Sequence, residues 1–245
     1  MMLPGLRIQG REERRNAMAF NSILVNSLYS RESVLRAYGL DSKVCYLGVD
    51  TDKFADRHQQ RERFVVSVGA LIPEKNAEFI VKALGKVPAQ VRPPLVWVAN
   101  FAHVGYMRHI EQLAETNQVR FQLKQRIEDC ELTDILSRAR LMLYAPRLEP
   151  FGYAPIEANS CGLPVIAVAE GGVRESIEDG INGILIEPEP ELMALAIERL
   201  MQDNETHQRL SENASYLART KWSLASSIDR LEARLSATLA KARTT

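Results

Sequence analysis

Two glutamates bracket a glycine-containing loop in the segment from Glu149 to Glu157, which reads EPFGYAPIE. The loop leads into a predicted helix, and the free N–H groups of its first turn, with those around Gly152, suit an anion such as phosphate. Gly152 lets the backbone approach a ligand closely, and the two carboxylates can accept hydrogen bonds from hydroxyl groups. The segment therefore indicates a phosphate site bordered by hydroxyl acceptors, as a sugar nucleotide requires. Spacing alone is equally compatible with a solvated Glu149 and a Glu157 that interacts only with the helix dipole.

Two further loops lead from a predicted buried strand into a helix. In the first, the strand ends at Gly69 and Lys75 precedes the helix, where a lysine can reach phosphate oxygens as a point charge. In the second, Gly171 and Gly172 follow a strand and predict a nest of backbone amides. The alternative for the first loop is that Lys75 only covers the start of a helix. The alternative for the second loop is a tight connection that binds no ligand.

Short apolar runs alternate with segments of helical periodicity along most of the chain. The apolar runs, rich in Val, Ile and Leu, predict strands at 23–25, 44–47, 64–68, 95–98, 120–123, 141–144, 164–168 and 183–186. The helical segments are 31–38, 77–84, 107–116, 131–138, 154–161, 173–178, 191–202, 205–217 and 224–240. This order predicts an α/β fold, a Rossmann-like parallel sheet with helices on both faces. Its carboxyl edge would gather the loops that bind ligands.

The polar run from Asp50 to Glu62 predicts a linker between two unequal parts of the chain. Residues 1–60 contain two predicted strands, too little to bury a core, and are typical of the tail of a domain whose main part is absent. Residues 61–218 predict one Rossmann-like domain that binds a nucleotide sugar, and residues 219–245 predict a terminal helix.

The composition excludes several classes of protein. The chain of 245 residues is 46% hydrophobic and 25% charged, as in globular domains, and its 31 basic and 31 acidic residues predict no binding of nucleic acid. Cys45, Cys130 and Cys161 form no paired motif and the four histidines are scattered, so we expect neither disulfides nor a metal site. No GxGxxG, GxxxxGK[ST] or GxSxG motif occurs, which argues against dinucleotide oxidoreductases, P-loop NTPases and α/β-hydrolases.

The sequence also predicts where the protein resides. No segment approaches the roughly 18 to 20 apolar residues that a membrane span requires. Charged residues between Arg7 and Arg15 interrupt any apolar region of a signal peptide. We therefore expect a cytoplasmic protein whose arginine-rich start is a solvated helix. The alternative is peripheral contact of that start with the inner face of the membrane.

The segment from Glu149 to Glu157 is an E-x7-E motif of the form EPFGxxxxE, and the chain continues through ANSCGLPVIA to Gly171-Gly172 and Glu175. Asp179-Gly180-Ile181-Asn182-Gly183 follows, and Gly69 through Lys75 precedes it in matching order. From about residue 20 to about residue 240 the chain resembles glycosyltransferase family 4, also called the group 1 glycosyltransferases. The resemblance implies a retaining, hexosyltransferase-type enzyme with the GT-B architecture of two facing Rossmann-like domains. The C-terminal domain of that architecture binds a UDP-, GDP- or ADP-sugar, and no metal is required.

The resemblance also implies roles for the charged residues. Glu149 would contact the donor sugar near the reacting carbon, and Glu157 would bind the ribose hydroxyls. Lys75 would neutralise the departing diphosphate. Because the family receives the base after the strand that ends at Leu123, Arg126 and Ile127 would lie beside the base.

Backbone groups complete the implied site. The amides of Phe151, Gly152 and Tyr153 would cradle the sugar and phosphate, and Gly69 would let the nucleotide approach the strand end. One departure concerns Ala70, which stands where many relatives have an arginine that grips the diphosphate. Losing one charge-assisted contact costs about 1.5 to 3 kcal/mol of transition-state stabilisation unless another basic group substitutes.

A second departure is that the acceptor domain is largely missing, so the acceptor is unknown. We expect an acceptor domain supplied in trans, or a homo-oligomer, to complete the enzyme. The alternatives are a nucleotide-sugar-binding module without turnover and a relative such as a sugar-nucleotide epimerase.

Overall fold

The computed structural model of the protein describes residues 4–242. Its elements follow in the order α1 (Pro4–Met18), β1 (Leu24–Val25), α2 (Leu28–Tyr38), β2 (Lys43–Val44), β3 (Val65–Val68), a 3₁₀ turn (Pro73–Lys75), α3 (Ala77–Lys86), β4 (Leu95–Ala99), α4 (Val104–Thr116), β5 (Phe121–Gln125), α5 (Asp129–Arg138), β6 (Leu141–Tyr144), α6 (Tyr153–Ser160), β7 (Val165–Val168), α7 (Val173–Ser176), β8 (Gly183–Ile186), α8 (Pro190–Gln202), α9 (Asn204–Lys221) and α10 (Leu224–Ala242).

The predicted parallel sheet is confirmed. Six strands form it in the order β5-β4-β3-β6-β7-β8, and every neighbouring pair is parallel. The chain moves outward from β3 in one direction and from β6 in the other, so the strand order reverses between them. At such a switch point the loops that follow the two central strands diverge and leave a crevice. The loops after β3 and β6 are those that carry Lys75 and Glu149.

Alternate residues of the strands build a core on each face of the sheet. One core joins α3, α4 and α8 to residues such as Leu95, Trp97 and Leu143. The opposite core joins α5, α6 and α7 to residues such as Val66 and Met142. Every residue of β6 and β7 is buried, as apolar runs covered on both faces require.

Several helices begin earlier than their apolar periodicity predicts, because capping residues start them. Helix α2 begins at Leu28 rather than residue 31, since the side chain of Ser27 accepts a hydrogen bond from the N–H of Ser30. Helix α4 begins at Val104 rather than residue 107, since His103 Nδ1 accepts from the N–H of Tyr106 at 3.2 Å. Because histidine is an unusual N-cap, this start could not be predicted from the sequence.

A second, two-stranded sheet lies outside the main one. Strands β1 and β2 pair in parallel, Leu24 with Lys43 and Val25 with Val44. Helix α10 packs on this sheet: Ser227 Oγ donates to the carbonyl of Tyr46 at 3.1 Å. We call residues 22–47 with α10 the small unit. Helix α1, which precedes it, is exposed along most of its described length, as expected for a solvated helix.

The polar run from Asp50 to Glu62 contains no regular helix or strand, yet it is held against the main domain. Phe54 is buried in the core beneath α5 and α6. The guanidinium of Arg61 donates to the carbonyls of Leu136 and Cys161, each at 2.6 Å. The run therefore crosses the surface in a fixed path rather than as a free tether.

Candidate functional site at the strand-order reversal

Lys75 and Glu149 meet at the reversal of the strand order. Lys75 Nζ lies 2.5 Å from Glu149 Oε2, and both side chains are about a quarter exposed. The aliphatic part of Lys75 passes Gly69, since a Cβ on that glycine would stand 3.6 Å from Lys75 Cδ. The structure thus brings together three residues that the sequence marked in two separate loops.

The two loops are joined by backbone hydrogen bonds. The N–H of Arg147 donates to the carbonyl of Glu74 at 2.9 Å, one residue before Lys75. The N–H of Leu148 donates to Glu170 Oε1 at 3.1 Å, and Leu148 adopts a φ of +52°. Left-handed backbone at a leucine costs free energy and persists where surrounding contacts determine it. The loop before Glu149 is therefore held in one conformation.

The start of α6 presents free backbone donors beside this pair. Among the described residues, no acceptor receives a hydrogen bond from the N–H of Gly152 or of Tyr153, and Gly152 caps the helix with a φ of +85°. A Cβ at position 152 would stand 2.7 Å from Tyr144 Oη, so only glycine fits. Tyr153 is 46% exposed and lies at the mouth of the site.

The side chain of Phe151 points into the protein, away from the free backbone amides that follow it. Its side chain is 2% exposed and packs in a small cluster with Val49, Ile156 and Trp222. The rings of Phe151 and Trp222 lie 5.8 Å apart at 60°. The aromatic ring thus anchors the loop from below, and only the backbone of Phe151 can face a ligand.

Glu157 lies in the second turn of α6, largely buried. The pKa of its carboxyl is raised to about 7, mainly by burial and also by the charge of the nearby Asp129, while Lys53 acts in the opposite direction. Lys53 itself forms an ion pair with Asp129. The Glu157 carboxylate has no hydrogen-bond or ion-pair partner within residues 4–242. A buried carboxyl without a protein partner can accept hydrogen bonds from a ligand.

Tyr144 is the residue of this site that sequence reasoning missed. It is the last residue of β6, 5% exposed, with its hydroxyl against Gly152. Burial raises the pKa of its phenol well above the usual value, and the charges of Glu149 and Glu157 raise it further. The only sequence signal was a polar atom at the end of a fully apolar strand.

Gly171 and Gly172 support the site from behind. The N–H of Gly172 donates to the carbonyl of Glu149 at 2.8 Å. A Cβ on Gly171 would stand 2.4 Å from the carbonyl oxygen of Glu149, and one on Gly172 would stand 2.1 Å from that of Pro150. The glycine pair therefore seats the Glu149 backbone, and the amide of Gly172 is engaged by it.

Arg126 and Ile127 lie at the carboxyl end of β5, two strands from β3. The N–H of Arg126 donates to the carbonyl of Ala99 at 3.0 Å, and Arg126 has a φ of +54°. Its side chain is exposed, while Ile127 packs against the core of α5 and α6. These residues therefore share the carboxyl edge with Lys75 and Glu149 without contacting them.

Glu175 connects the site to the small unit. Its two carboxylate oxygens accept from the N–H groups of Leu28 and Tyr29, at 2.8 Å and 3.0 Å, and from Tyr46 Oη at 2.8 Å. Nearby, Ser27 Oγ donates to the carbonyl of Pro150 at 2.5 Å. The start of α2 is thus bonded both to α7 and to the loop that carries Glu149.

Within residues 4–242, no group of three or more His, Cys, Asp and Glu side chains is arranged to hold a metal ion. No helix in this range combines the length and apolar content needed to cross a bilayer.

This fold is that of one domain of the GT-B glycosyltransferases. The family profile described as glycosyl transferases group 1 matches residues 49–216, and the chain belongs to that family.

The chain is similar to known members over most of its length. It is 29% identical over 204 residues to alpha-D-kanosaminyltransferase of Streptomyces kanamyceticus, covering 77% of this chain and 52% of that protein. Its fold matches Anabaena Alr3699/HepE, solved in complex with UDP-glucose, with a TM-score of 0.82 and 24% identity over 93% of this chain and 67% of that one. It also matches the C-terminal domain of the group 1 family protein LpcC from Francisella tularensis, with a TM-score of 0.65 and 20% identity over 72% of this chain and 100% of that one. The chain spans about half the length of the curated relatives it matches.

Proposed function

We infer that this chain is the donor-binding portion of a retaining glycosyltransferase of family 4, and that it transfers a sugar from a nucleotide sugar to an acceptor. The observation that carries the proposal is the ion pair of Lys75 with Glu149 at the reversal of the strand order. The Lys75 ammonium suits the departing diphosphate, and the Glu149 carboxylate suits the donor sugar. Because the two side chains are in contact, the sugar–diphosphate bond that must break would lie beside both of them.

The carboxyl edge has the dimensions of a nucleotide. Adjacent strands lie about 4.8 Å apart, so the ends of β3 and β5 are about 10 Å apart. A diphosphate beside Lys75 would leave the base beside Arg126 and Ile127. Glu157, with no protein partner for its carboxylate, would accept the ribose hydroxyls between them. The UDP-glucose bound to Anabaena Alr3699/HepE supports a ligand of this class.

The chemistry follows from the charges at the switch point. The bond between the anomeric carbon and the diphosphate oxygen breaks while a bond to the acceptor oxygen forms on the same face of the sugar. The acceptor proton passes to the departing phosphate oxygen. Lys75 and the free N–H groups of Gly152 and Tyr153 stabilise the charge that develops on the diphosphate. No metal ion is needed for this step, since fixed positive groups neutralise the leaving group.

Ala70 supplies no charge to that leaving group. Lys75 therefore carries the electrostatic stabilisation with the amides of α6, which predicts a strong dependence on this one residue. We propose that acceptor binding requires groups beyond the single Rossmann-like domain of residues 4–242, for which a domain supplied in trans and a second copy of this chain are the candidates. On this proposal the reaction takes place in the cytoplasm.

Calorimetry of the full chain with UDP-, GDP- and ADP-sugars tests the proposal. Replacing Lys75→Ala removes a charge-assisted contact and is expected to weaken binding of the preferred nucleotide sugar about tenfold or more. Glu157→Ala is expected to weaken it about tenfold through the ribose hydroxyls. The control is Lys86→Ala, which removes an exposed lysine paired with Glu191 on the surface and should leave affinity unchanged.

A binding module without turnover is the second candidate, favoured by Ala70, which supplies no charge to the diphosphate. Both candidates predict heat on titration, so absence of heat with every nucleotide sugar contradicts both. Release of free nucleotide when an acceptor domain is added separates them, since only the enzyme produces it. Sugar-nucleotide turnover without any acceptor would instead indicate an epimerase-like activity.

A further inference from the structure

A basic pocket lies in the small unit, outside the loops that form the strand-reversal site. It is a cavity of about 560 Å³ between the start of α2, strand β2 and helix α10. Its polar lining includes Ser42, Lys43, Arg230 and Arg234. Leu28 and Val44 contribute apolar surface. None of these side chains takes part in the donor site described above; only the backbone N–H of Leu28 is connected to it, through Glu175.

The charge of the basic pocket is only partly compensated. Four cationic side chains and one carboxylate, that of Asp41, line the pocket, and Asp41 is paired with Arg31 at 2.9 Å. Lys43, Arg230 and Arg234 have no carboxylate within ion-pair distance among residues 4–242. Glu175, which contacts the lining residue Tyr46, is engaged by the hydroxyl of Tyr46 and the amides of α2. Cations gathered without counter-charges raise the local potential and attract anions.

The arginines of the pocket use few of their donors. Arg234 Nη2 makes one long contact with the carbonyl of Val44 at 3.4 Å. Arg230 contacts the carbonyls of Lys221 at 3.0 Å and Tyr46 at 3.4 Å. A guanidinium carries five N–H donors, so most remain available in both residues.

Two buried polar atoms of the basic pocket have no hydrogen-bond partner. Ser42 is 2% exposed, and its hydroxyl makes no hydrogen bond with any described residue. The Nε of Arg230 is buried and likewise unsatisfied. Buried donors are almost always paired in native proteins, and each exception calls for an explanation such as a bound ion. Here both exceptions line one cationic cavity.

We propose that the basic pocket binds a phosphate-type oxyanion through Lys43, Arg230, Arg234 and the hydroxyl of Ser42. A phosphate monoester offers a double charge and several acceptor oxygens, which matches a lysine, two guanidinium groups and a hydroxyl. The apolar surface of Leu28 and Val44 suits an organic group attached to that phosphate. Inorganic phosphate, a soluble phosphate ester or a phosphomonoester lipid head group share this chemistry.

The first experiment uses inorganic phosphate and the full chain carrying Lys75→Ala, so that binding at the strand-reversal site does not contribute. Titration calorimetry is expected to show one saturable site whose affinity falls as salt rises. Arg230→Gln combined with Arg234→Gln should weaken it at least about tenfold, since two charge-assisted contacts are lost. Ser42→Ala should weaken it about threefold, as loss of one neutral hydrogen bond predicts.

The matched control is Arg219→Gln, which removes the same charge from an exposed arginine of α9 that does not line the pocket. It should leave phosphate affinity within about twofold, because exposed charges are screened by salt. When the same pocket substitutions are made in the protein that retains Lys75, its affinity for nucleotide sugars should be unchanged. This result separates the present proposal from the proposed function. If the double variant unfolds, Lys43→Gln and Ser42→Ala provide the same test singly.

A second experiment distinguishes a lipid phosphate from a soluble one. Sedimentation with phosphatidylcholine vesicles, with and without phosphatidic acid, tests a lipid head group. Binding that requires phosphatidic acid and is lost in the double variant assigns the site to a lipid. Saturable binding of inorganic phosphate alone assigns it to a soluble ligand. No saturable binding in either arm, or an equal loss in Arg219→Gln, overturns the proposal.

Discussion

The two sheets of this molecule differ in how completely their residues are buried. Strands β6 and β7 of the six-stranded sheet are buried at every residue, between helices that cover both faces. Strands β1 and β2 are only half-buried, and α2 contains no buried residue. Large apolar side chains of the small unit remain exposed, among them Leu28, Leu35, Leu224, Ile228 and Leu235. The main domain therefore holds its own core, whereas the small unit depends on bonds to the main domain.

The largest effect is expected where the main core is opened. Leu143→Ala removes a fully buried side chain from β6 and should lower the free energy of unfolding by about 3 to 5 kcal/mol. Leu24→Ala in the half-buried β1 should cost about 1 kcal/mol or less. Denaturant unfolding followed by circular dichroism measures both. Equal losses would show that the two sheets form one core.

A second, pH-dependent effect is expected from the buried carboxyl of the site. The pKa of Glu157 is about 7 in the folded chain and about 4.5 when unfolded, so the folded state binds more protons between these values. Stability should therefore fall as pH rises from 4.5 to 7 and stay low above it. Glu157→Gln should remove this slope and be more stable than the parent at pH 8, by at most about 3 kcal/mol.

The comparison with the parent isolates Glu157 from other buried groups. His207, whose pKa burial lowers to about 4, destabilises the fold as pH falls below 6.5, but equally in both proteins. Thermal unfolding of the two proteins at pH 5, 6, 7 and 8 gives the difference. A difference that does not grow with pH would mean that Glu157 is charged throughout the range.

A smaller, local effect is expected at the junction of the two units. Glu175→Ala leaves the N–H groups of Leu28 and Tyr29 and the hydroxyl of Tyr46 without their acceptor. Local opening of α2 should become about 1 to 3 kcal/mol easier, so hydrogen exchange of its amides should accelerate at least about fivefold. Exchange in β6 should not change.

The control at this junction is Glu187→Gln, an exposed glutamate near the end of β8 whose carboxylate has no partner among the described residues. It should leave the exchange of α2 unaltered. Accelerated exchange throughout the main sheet in Glu175→Ala would instead show that the small unit supports the whole fold.

The positions of the strands in the main sheet, and the residues that follow their ends, could be predicted from the sequence. The expectation that the strands are buried on both faces holds at every residue only for β6 and β7, while the edge strand β5 has no buried residue. Parallel order brings Lys75 and Glu149 to one edge. The partners that hold these residues could not be predicted, because they come from distant parts of the chain. Tyr144 against Gly152 and Glu175 against the amides of α2 depend on tertiary packing, which no local pattern encodes.

Gly171 and Gly172 determine how long a segment must be exchanged if this site is to be transferred between relatives. The Glu149–Pro150 backbone rests directly on these glycines, at separations that no Cβ could share. A loop grafted from another transferase to alter donor choice would keep its shape only if its own glycine pair came with it. For an engineer, or for recombination between genes, the smallest portable module therefore runs from Tyr144 through Glu175.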